Sequence, residues 1–274
     1  MIVQIYEIQI PEEAERCVEL GVDHIGSVLV SAQEWCQPLI RDLIRATSGT
    51  NSKNSLIPLF ADQDLLYKAM DYYQPHFVHF CESLTDVQGR VRDLQPIAET
   101  QVRFKRMFPQ IGIIRTIPIP LSGKALNFPT LEIACALEGA SDFFLTDTWL
   151  GQEPVEGYVG ITGQPVDWDM AKAVVQKSKI PVILAGGLSP ENVYDALVRV
   201  QPAGADSCTQ TNATDPANNT MRFKKDFEKV AKFVSEVRRA EKNRVQSAFA
   251  RPTADKGFKG KDHNLKPETR YQEP

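Results

Sequence analysis

Pro181-Val-Ile-Leu-Ala-Gly-Gly-Leu-Ser-Pro-Glu-Asn-Val193 decides how this chain is read. Val182, Ile183 and Leu184 form a short apolar run that ends on two glycines. A helix start follows, with Ser189 as the expected N-cap, Pro190 at the first helical position and Glu191 in the first turn. A strand, a Gly-Gly step and a capped helix together offer bare main-chain N–H groups to an anion. The glycines admit a ligand close to the backbone, and the helix start adds partial positive charge.

Working outward, apolar runs alternate with segments of 3.6-residue periodicity. Strands are expected at 2–6, 23–29, 56–60, 76–80, 111–116, 142–146, 181–185 and 204–207. Helical spacing is clear at Pro11–Leu20, Asp62–Tyr72, Pro129–Leu137, Trp168–Gln176, Pro190–Val200 and Phe223–Val237. Eight β-then-α units predict an α/β fold closed as a (β/α)8 barrel, with an open doubly wound sheet as the alternative. In such a barrel a Gly-Gly step late in the chain marks the phosphate-holding strand. Residues 46–55 and 118–127 read as surface loops. One barrel over 1–242 is expected. From Asn243 the apolar period disappears, and the last 32 residues carry a net +3, so 243–274 reads as a disordered tail.

Bulk numbers narrow the partners. The 274 residues carry a net charge of −4, which gives no general attraction to nucleic acid or to anionic membranes. No apolar run approaches the ~18 residues of a membrane span. Met1-Ile-Val-Gln-Ile5 enters a strand without a basic leader, and five scattered cysteines include no CxxC pair. Reduced thiols in a cytoplasmic protein are expected. His24, His76 and His79 have no metal-ligand spacing and read as core or surface residues, so no metal and no cofactor is expected.

A second informative region is Phe143-Phe-Leu-Thr-Asp-Thr148, a buried strand that delivers Asp147 to its C-terminal end, where barrel catalytic groups sit. A capping role in the next loop is the competing reading. A glycine-bearing loop, Gly157 to Gln164, follows, and Asp167 is placed to cap the next helix. Trp149 reads as a packing residue or as a cover for a flat ligand ring.

Leu145-Thr-Asp-Thr148, Gly160-Ile-Thr-Gly163 with Val166-Asp-Trp168, and Ala185 to Val193 resemble the phosphoribosylanthranilate isomerase family in order and spacing. The resemblance implies a barrel of the ribulose-phosphate-binding type and an Amadori-type isomerisation of a phosphorylated sugar in tryptophan biosynthesis. It implies Asp147 as the general acid that opens the furanose ring. It implies phosphate binding by Gly163, Gly186, Gly187, Ser207 and Thr209, with Arg115 keeping a cation in the substrate pocket. The chain departs from the family where Gln4-Ile-Tyr-Glu7 replaces a Lys-Ile-Cys-Gly motif, so Tyr6 stands at the position of the base cysteine. Tyrosine, with a pKa near 10, is a poor base. Glu7 is the remaining candidate on that strand, although strand alternation points it away from Tyr6. The arginine that meets the anthranilate carboxylate falls near Trp35, and the strand-eight phosphate motif reads Asp206-Ser-Cys-Thr-Gln210. Three readings follow: an isomerase with an unusual base, a catalytically inactive homologue that binds a sugar phosphate as a sensor or partner subunit, and a different sugar-phosphate epimerase or lyase.

Overall fold

The alternation of strands and helices closes on itself. The structure is a computed structural model that describes residues 1–124 and 127–249. Its eight parallel strands form a closed barrel in chain order. They are β1 (Ile2–Ile5), β2 (His24–Leu29), β3 (Lys53–Pro58), β4 (Phe77–Phe80), β5 (Gly112–Pro120), β6 (Phe143–Trp149), β7 (Val182–Leu184) and β8 (Gly204–Ser207). Around them run α1 (Pro11–Glu19), α2 (Pro38–Ala46), α3 (Gln63–Tyr73), α4 (Gln95–Met107), α5 (Thr130–Leu137), α6 (Trp168–Lys177), α7 (Val193–Val200) and α8 (Phe227–Phe249).

The two-residue period of each strand sorts its side chains. One set, with Tyr6, Val28, Ile114, Leu145 and Ile183, fills the barrel interior. The other set, with Phe144, Ile117 and Leu184, packs outward on helix residues such as Val174, Leu197 and Phe233. A Cβ on Gly26 of β2 would lie well under 3.0 Å from the Tyr6 ring, so glycine there makes room for the tyrosine inside the barrel.

The structure departs from expectation at five places. β3 begins at Lys53, inside the stretch read as a loop. Among its buried polar residues, Asn54 Nδ2 donates to Thr47 Oγ1 at 2.8 Å while its Oδ1 has no partner among the described residues, and Ser55 Oγ lies 2.6 Å from the Tyr6 hydroxyl. β5 continues through Pro118 and Pro120, which pair with Asp147 and Trp149 of β6. The reason is parity. Gly112 N–H donates towards β4, to His76 O at 2.9 Å, so N of residues 118 and 120 faces the same side. β4 pairing ends at Arg115, and the missing proline N–H groups therefore face a free edge.

The Ser189–Asn192 segment is a turn, and α7 begins only at Val193. Ser189 Oγ still accepts from Glu191 N at 3.1 Å, and Asn192 Oδ1 accepts from Ser189 N at 2.8 Å. A hairpin of β9 (Asn212–Thr214) and β10 (Thr220–Lys225) occupies part of the segment read as the last helix. α8 then runs to Phe249, seven residues past the boundary expected at 242. Asn243 donates to Tyr194 Oη at 2.7 Å and Arg244 to Pro202 O at 3.0 Å, so these residues belong to the barrel wall. Residues 250–274, the rest of the expected tail, lie outside the described residues.

Candidate active site at the barrel mouth

The loops after β6, β7 and β8 meet at the C-terminal end of the barrel. Gly163, Gly186, Gly187, Leu188, Thr209 and Gln210 line one side of a cavity there. Gly163, Gly186 and Gly187 hold φ of 65°, 91° and 60°, conformations that side chains resist. A Cβ on Gly187 would fall well under 3.0 Å from the Gln164 carbonyl carbon and Pro165 nitrogen. Glycine at 187 thus lets the β7 loop lie against the β6 loop. Two cross-ties hold the three loops: Gln210 Nε2 donates to Gly163 O at 2.8 Å, and Ser207 Oγ to Leu188 O at 2.8 Å.

Ser207 therefore spends its hydroxyl proton on the loop and is not the free donor expected of it. The N–H groups of Gly163, Gly187, Leu188, Thr209 and Gln210 have no partner among the described residues. They belong to residues lining a cavity that no Lys or Arg among the described residues borders. A short 3-10 turn, Thr209–Thr211, closes that side.

A deeper cavity adjoins this one and shares Asp147, Ile161, Asp206 and Cys208 with it. Asp147 is the last interior-facing carboxyl of β6, as the strand period requires. A Cβ on Gly160 would meet its Oδ2 well under 3.0 Å, so the β6 loop packs directly on the carboxyl. Burial raises its pKa to about 7, against the pull of the Thr148 N–H donated to Oδ1 at 2.8 Å. Asp206, on β8, is held at about 8 by burial, with Asp147 adding like-charge repulsion. Gln4 donates to Asp206 Oδ1 at 3.1 Å, and Gln4 Oε1 meets His24 Nδ1 at 3.0 Å, which fixes the amide.

Tyr6 lies on the floor of the deep cavity. Its hydroxyl sits between Ser55 Oγ and His79 Nδ1, at 2.6 and 2.8 Å, and His79 Nε2 reaches Thr116 Oγ1 at 2.7 Å. Burial pushes the Tyr6 phenol well above its usual range and holds His79 down to about 3. This network is neutral and carries no base at pH 7.

Glu7 does reach the cavity, because its φ of 64° breaks the strand alternation that would have turned it away. That conformation costs a non-glycine residue about 1–2 kcal/mol. The carboxylate is fully engaged. Oε2 accepts from Asn212 Nδ2 at 2.6 Å and from Phe223 N at 3.2 Å, and Oε1 accepts from Arg222 Nε at 2.8 Å. Although burial opposes it, these donors hold the Glu7 pKa below its ordinary value. Glu7 is thereby corrected from candidate base to anchor of the β9–β10 hairpin.

Arg115 is also corrected. Its parity on β5 points it out of the barrel, where its Nε donates to Gln101 Oε1 and its Nη2 to Glu82 Oε1, both at 2.8 Å. It lines a side cavity with Phe80 and Tyr158 and not the mouth. Trp149 packs on Phe128 with ring centroids 4.5 Å apart. Among the described residues, no group of three His, Cys, Asp or Glu side chains is arranged to hold a metal. No helix among the described residues is long and apolar enough to cross a membrane.

Sequence reasoning did not single out Asp206, Cys208 or Arg222 for the mouth. Asp206 was within reach of the strand period, since it pairs with Gln4 two positions before Tyr6. Arg222 was not, because it sits on a hairpin strand whose second half, from Phe223, reads as the start of a helix.

The fold and its mouth define an eight-stranded parallel (β/α)8 barrel that brings unpartnered main-chain amides beside two buried carboxyls at the ends of β6, β7 and β8. The family model for N-(5'-phosphoribosyl)anthranilate isomerase matches residues 106–211. N-(5'-phosphoribosyl)anthranilate isomerase 1 of Methanosarcina mazei is 30% identical over 235 residues, covering 83% of this chain and 91% of the relative. The isomerase of Methanocella arvoryzae is 28% identical over 237 residues, covering 83% and 93%. The solved phosphoribosylanthranilate isomerase of Thermotoga maritima superposes with a TM-score of 0.62 at 20% identity, covering 87% of this chain and 99% of that one. A phosphoribosylanthranilate isomerase in complex with reduced 1-(o-carboxyphenylamino)-1-deoxyribulose 5-phosphate gives 0.61 at 19% identity, with the same coverage. The chain belongs to the phosphoribosylanthranilate isomerase family.

Proposed function

We propose that this protein isomerises an N-phosphoribosyl arylamine, with Asp147 and Asp206 as its proton-transfer pair. The observation that carries the reading is the placement of two carboxyls, with pKa values of about 7 and 8, where the amide-lined seat joins the deeper cavity. A phosphate on the free N–H groups of Gly187, Leu188 and Thr209 brings the sugar over both carboxyls. Burial and like-charge repulsion keep the two carboxyls from ionising together near neutral pH, so the pair retains a proton that either group can carry. Asp147 gives that proton to the furanose ring oxygen, and the ring C–O bond breaks to leave a Schiff base. Asp206, as carboxylate, removes the proton from C2, and the resulting enolamine takes up a proton at C1 and gives up its O2 proton to become the ketone. This assignment replaces Glu7, whose lowered pKa and three donors make it a weak base.

A phosphate-binding homologue without turnover is the second reading, favoured by the inert phenol of Tyr6 at the position of the family's base cysteine. The test is turnover of N-(5'-phosphoribosyl)anthranilate by the protein and by Asp147→Asn and Asp206→Asn. The first reading expects activity in the unaltered protein and a loss of about 10²–10⁴-fold in each variant. Tight ribose 5-phosphate binding with no turnover in any form establishes the second.

A further inference from the structure

Outside the barrel wall, α3 and α4 make little direct contact, and a cavity of about 260 Å³ lies between them. Phe60, Leu66, Phe80 and Ile97 give it an apolar wall, and Tyr158 of the β6 loop borders it as well. It shares no lining residue with the two cavities of the mouth. An apolar cavity of about 150 Å³ admits benzene, so the larger volume here suits a fused two-ring body.

Arg115 borders this cavity with a guanidinium that is fully buried and only partly used. Nε donates to Gln101 Oε1 and Nη2 to Glu82 Oε1, both at 2.8 Å, while Nη1 has no partner among the described residues. Gln101 is fixed in turn, since its Nε2 donates to Ala140 O at 2.8 Å and to Ser141 Oγ at 3.0 Å, so the guanidinium has no slack to turn Nη1 toward a partner. The Phe80 ring, 5.3 Å from Cζ, offers a π face and no lone pair. A dry donor on a charged group without an acceptor is costly, and folded proteins seldom leave one.

Charge decides the class of acceptor. Among the described residues lining the cavity, Glu82 is the only acid and Arg115 the only base. Although burial opposes it, the Arg115 charge holds the Glu82 carboxyl below its ordinary range, so the pair is ionised and neutral as a whole. A second carboxylate would add an uncompensated buried charge, whereas a carbonyl brings lone pairs without charge. We propose that this side cavity is a second binding site, which takes a small neutral aromatic compound whose carbonyl oxygen accepts from Arg115 Nη1. The half-buried side chains of Ile97, Thr100 and Tyr158 are the part of the wall that shifts to admit the oxygen. Glu82 and Tyr158 also pair as an isolated antiparallel bridge, flanked by Ser83 N–H to Gly157 O and Val159 N–H to Cys81 O, both at 2.8 Å. A ligand in the cavity therefore rests on the base of the loop whose Gly160 packs on Asp147. The site is separate from the amide seat and does not depend on the proposed function.

The test is a nuclear magnetic resonance titration of the full chain, read at the methyl groups of Leu66 and Ile97. The probes are 1-indanone, indane, which has the same rings without the oxygen, and indane-1-carboxylate. 1-Indanone is expected to shift both sets of methyls and to bind about 10–100-fold tighter than indane, the range of a hydrogen bond from a charged donor. Indane-1-carboxylate is expected to bind more weakly than 1-indanone. The double variant Glu82→Gln/Arg115→Met removes both charges together and is expected to bind 1-indanone and indane alike. Thr100→Phe fills the cavity from α4 and is expected to abolish binding of both, which keeps the test decisive if the double variant fails to fold. The proposal is overturned by methyls that 1-indanone leaves unmoved, by equal affinity of 1-indanone and indane for the unaltered protein, or by tighter binding of the carboxylate. A ketone preference that survives in the double variant overturns it too, as does 1-indanone binding that survives Thr100→Phe.

Discussion

Replacing Gly187 with alanine tests the anion seat through its geometry. The residue sits at φ 60°, and an added Cβ falls well under 3.0 Å from backbone atoms of Gln164 and Pro165. The left-handed conformation costs alanine about 1–2 kcal/mol. The backbone contact cannot be relieved by a side-chain rotation, so the β6 and β7 loops must part. Parting them moves the N–H groups of Gly187 and Leu188 away from Thr209 and Gln210. Each charge-assisted hydrogen bond lost to a phosphate is worth about 1.5–3 kcal/mol. Loss of one such bond weakens binding by about 10–100-fold, since ~1.4 kcal/mol is tenfold. The strain alone lowers the melting temperature by about 2–8 °C for a chain of this size. Calorimetric titration of ribose 5-phosphate into Gly187→Ala reads the first effect, and a thermal melt reads the second. Gly139→Ala is the control, because nothing lies within 4 Å of its added Cβ. A variant that melts lower and binds ribose 5-phosphate with unchanged affinity refutes the seat.

Three further outcomes follow from the same structure. Gly26→Ala places a methyl into the Tyr6 ring and is expected to cost about 1–3 kcal/mol, while Tyr6→Cys in the same chain recovers most of it; additive effects in a denaturant double-mutant cycle contradict the contact. The Asp147 carboxyl has its folded pKa raised to about 7, so the stability of its neutral form is fully present below about pH 3.9 and is lost as pH rises through 7. Asp147→Asn removes that loss, and its stabilising effect in urea melts should grow from pH 4 to pH 7 towards an upper bound of about 4 kcal/mol; a pH-independent difference contradicts the buried carboxyl. Glu82→Ala leaves the fully buried Arg115 without its counter-ion and is expected to cost about 3 kcal/mol, with Arg115→Met on the same background restoring most of it in a thermal melt. A neutral Glu82→Ala speaks against the ion pair.

The barrel was legible because each strand is buried on both faces and each helix carries a 3.6-residue stripe, and those two periods are local. The glycine step at the mouth was legible for the same reason, since Gly186 and Gly187 stand just past the end of β7. The other side was not. Glu7 escapes strand alternation through a single left-handed φ, which nothing in Tyr6-Glu-Ile8 announces. Phe223–Lys225 reads as the start of a helix, yet it belongs to a strand that pairs with Asn212–Thr214 because Glu7, 205 residues away from Asn212, holds both strands. Arg115 carried the opposite lesson. Its charge suggested a ligand, whereas its parity on β5 placed it outside the barrel, beside Glu82. The prolines of β5 look like breakers until the register shows their missing N–H groups facing an edge that β4 does not reach.

The most direct test is a crystal structure of the protein grown with ribose 5-phosphate. The account predicts phosphate density within hydrogen-bond distance of the Gly187, Leu188 and Thr209 main-chain nitrogens, with the sugar directed at Asp147 and Asp206. Phosphate density at any other place, or a mouth that stays empty at saturating ligand, contradicts it.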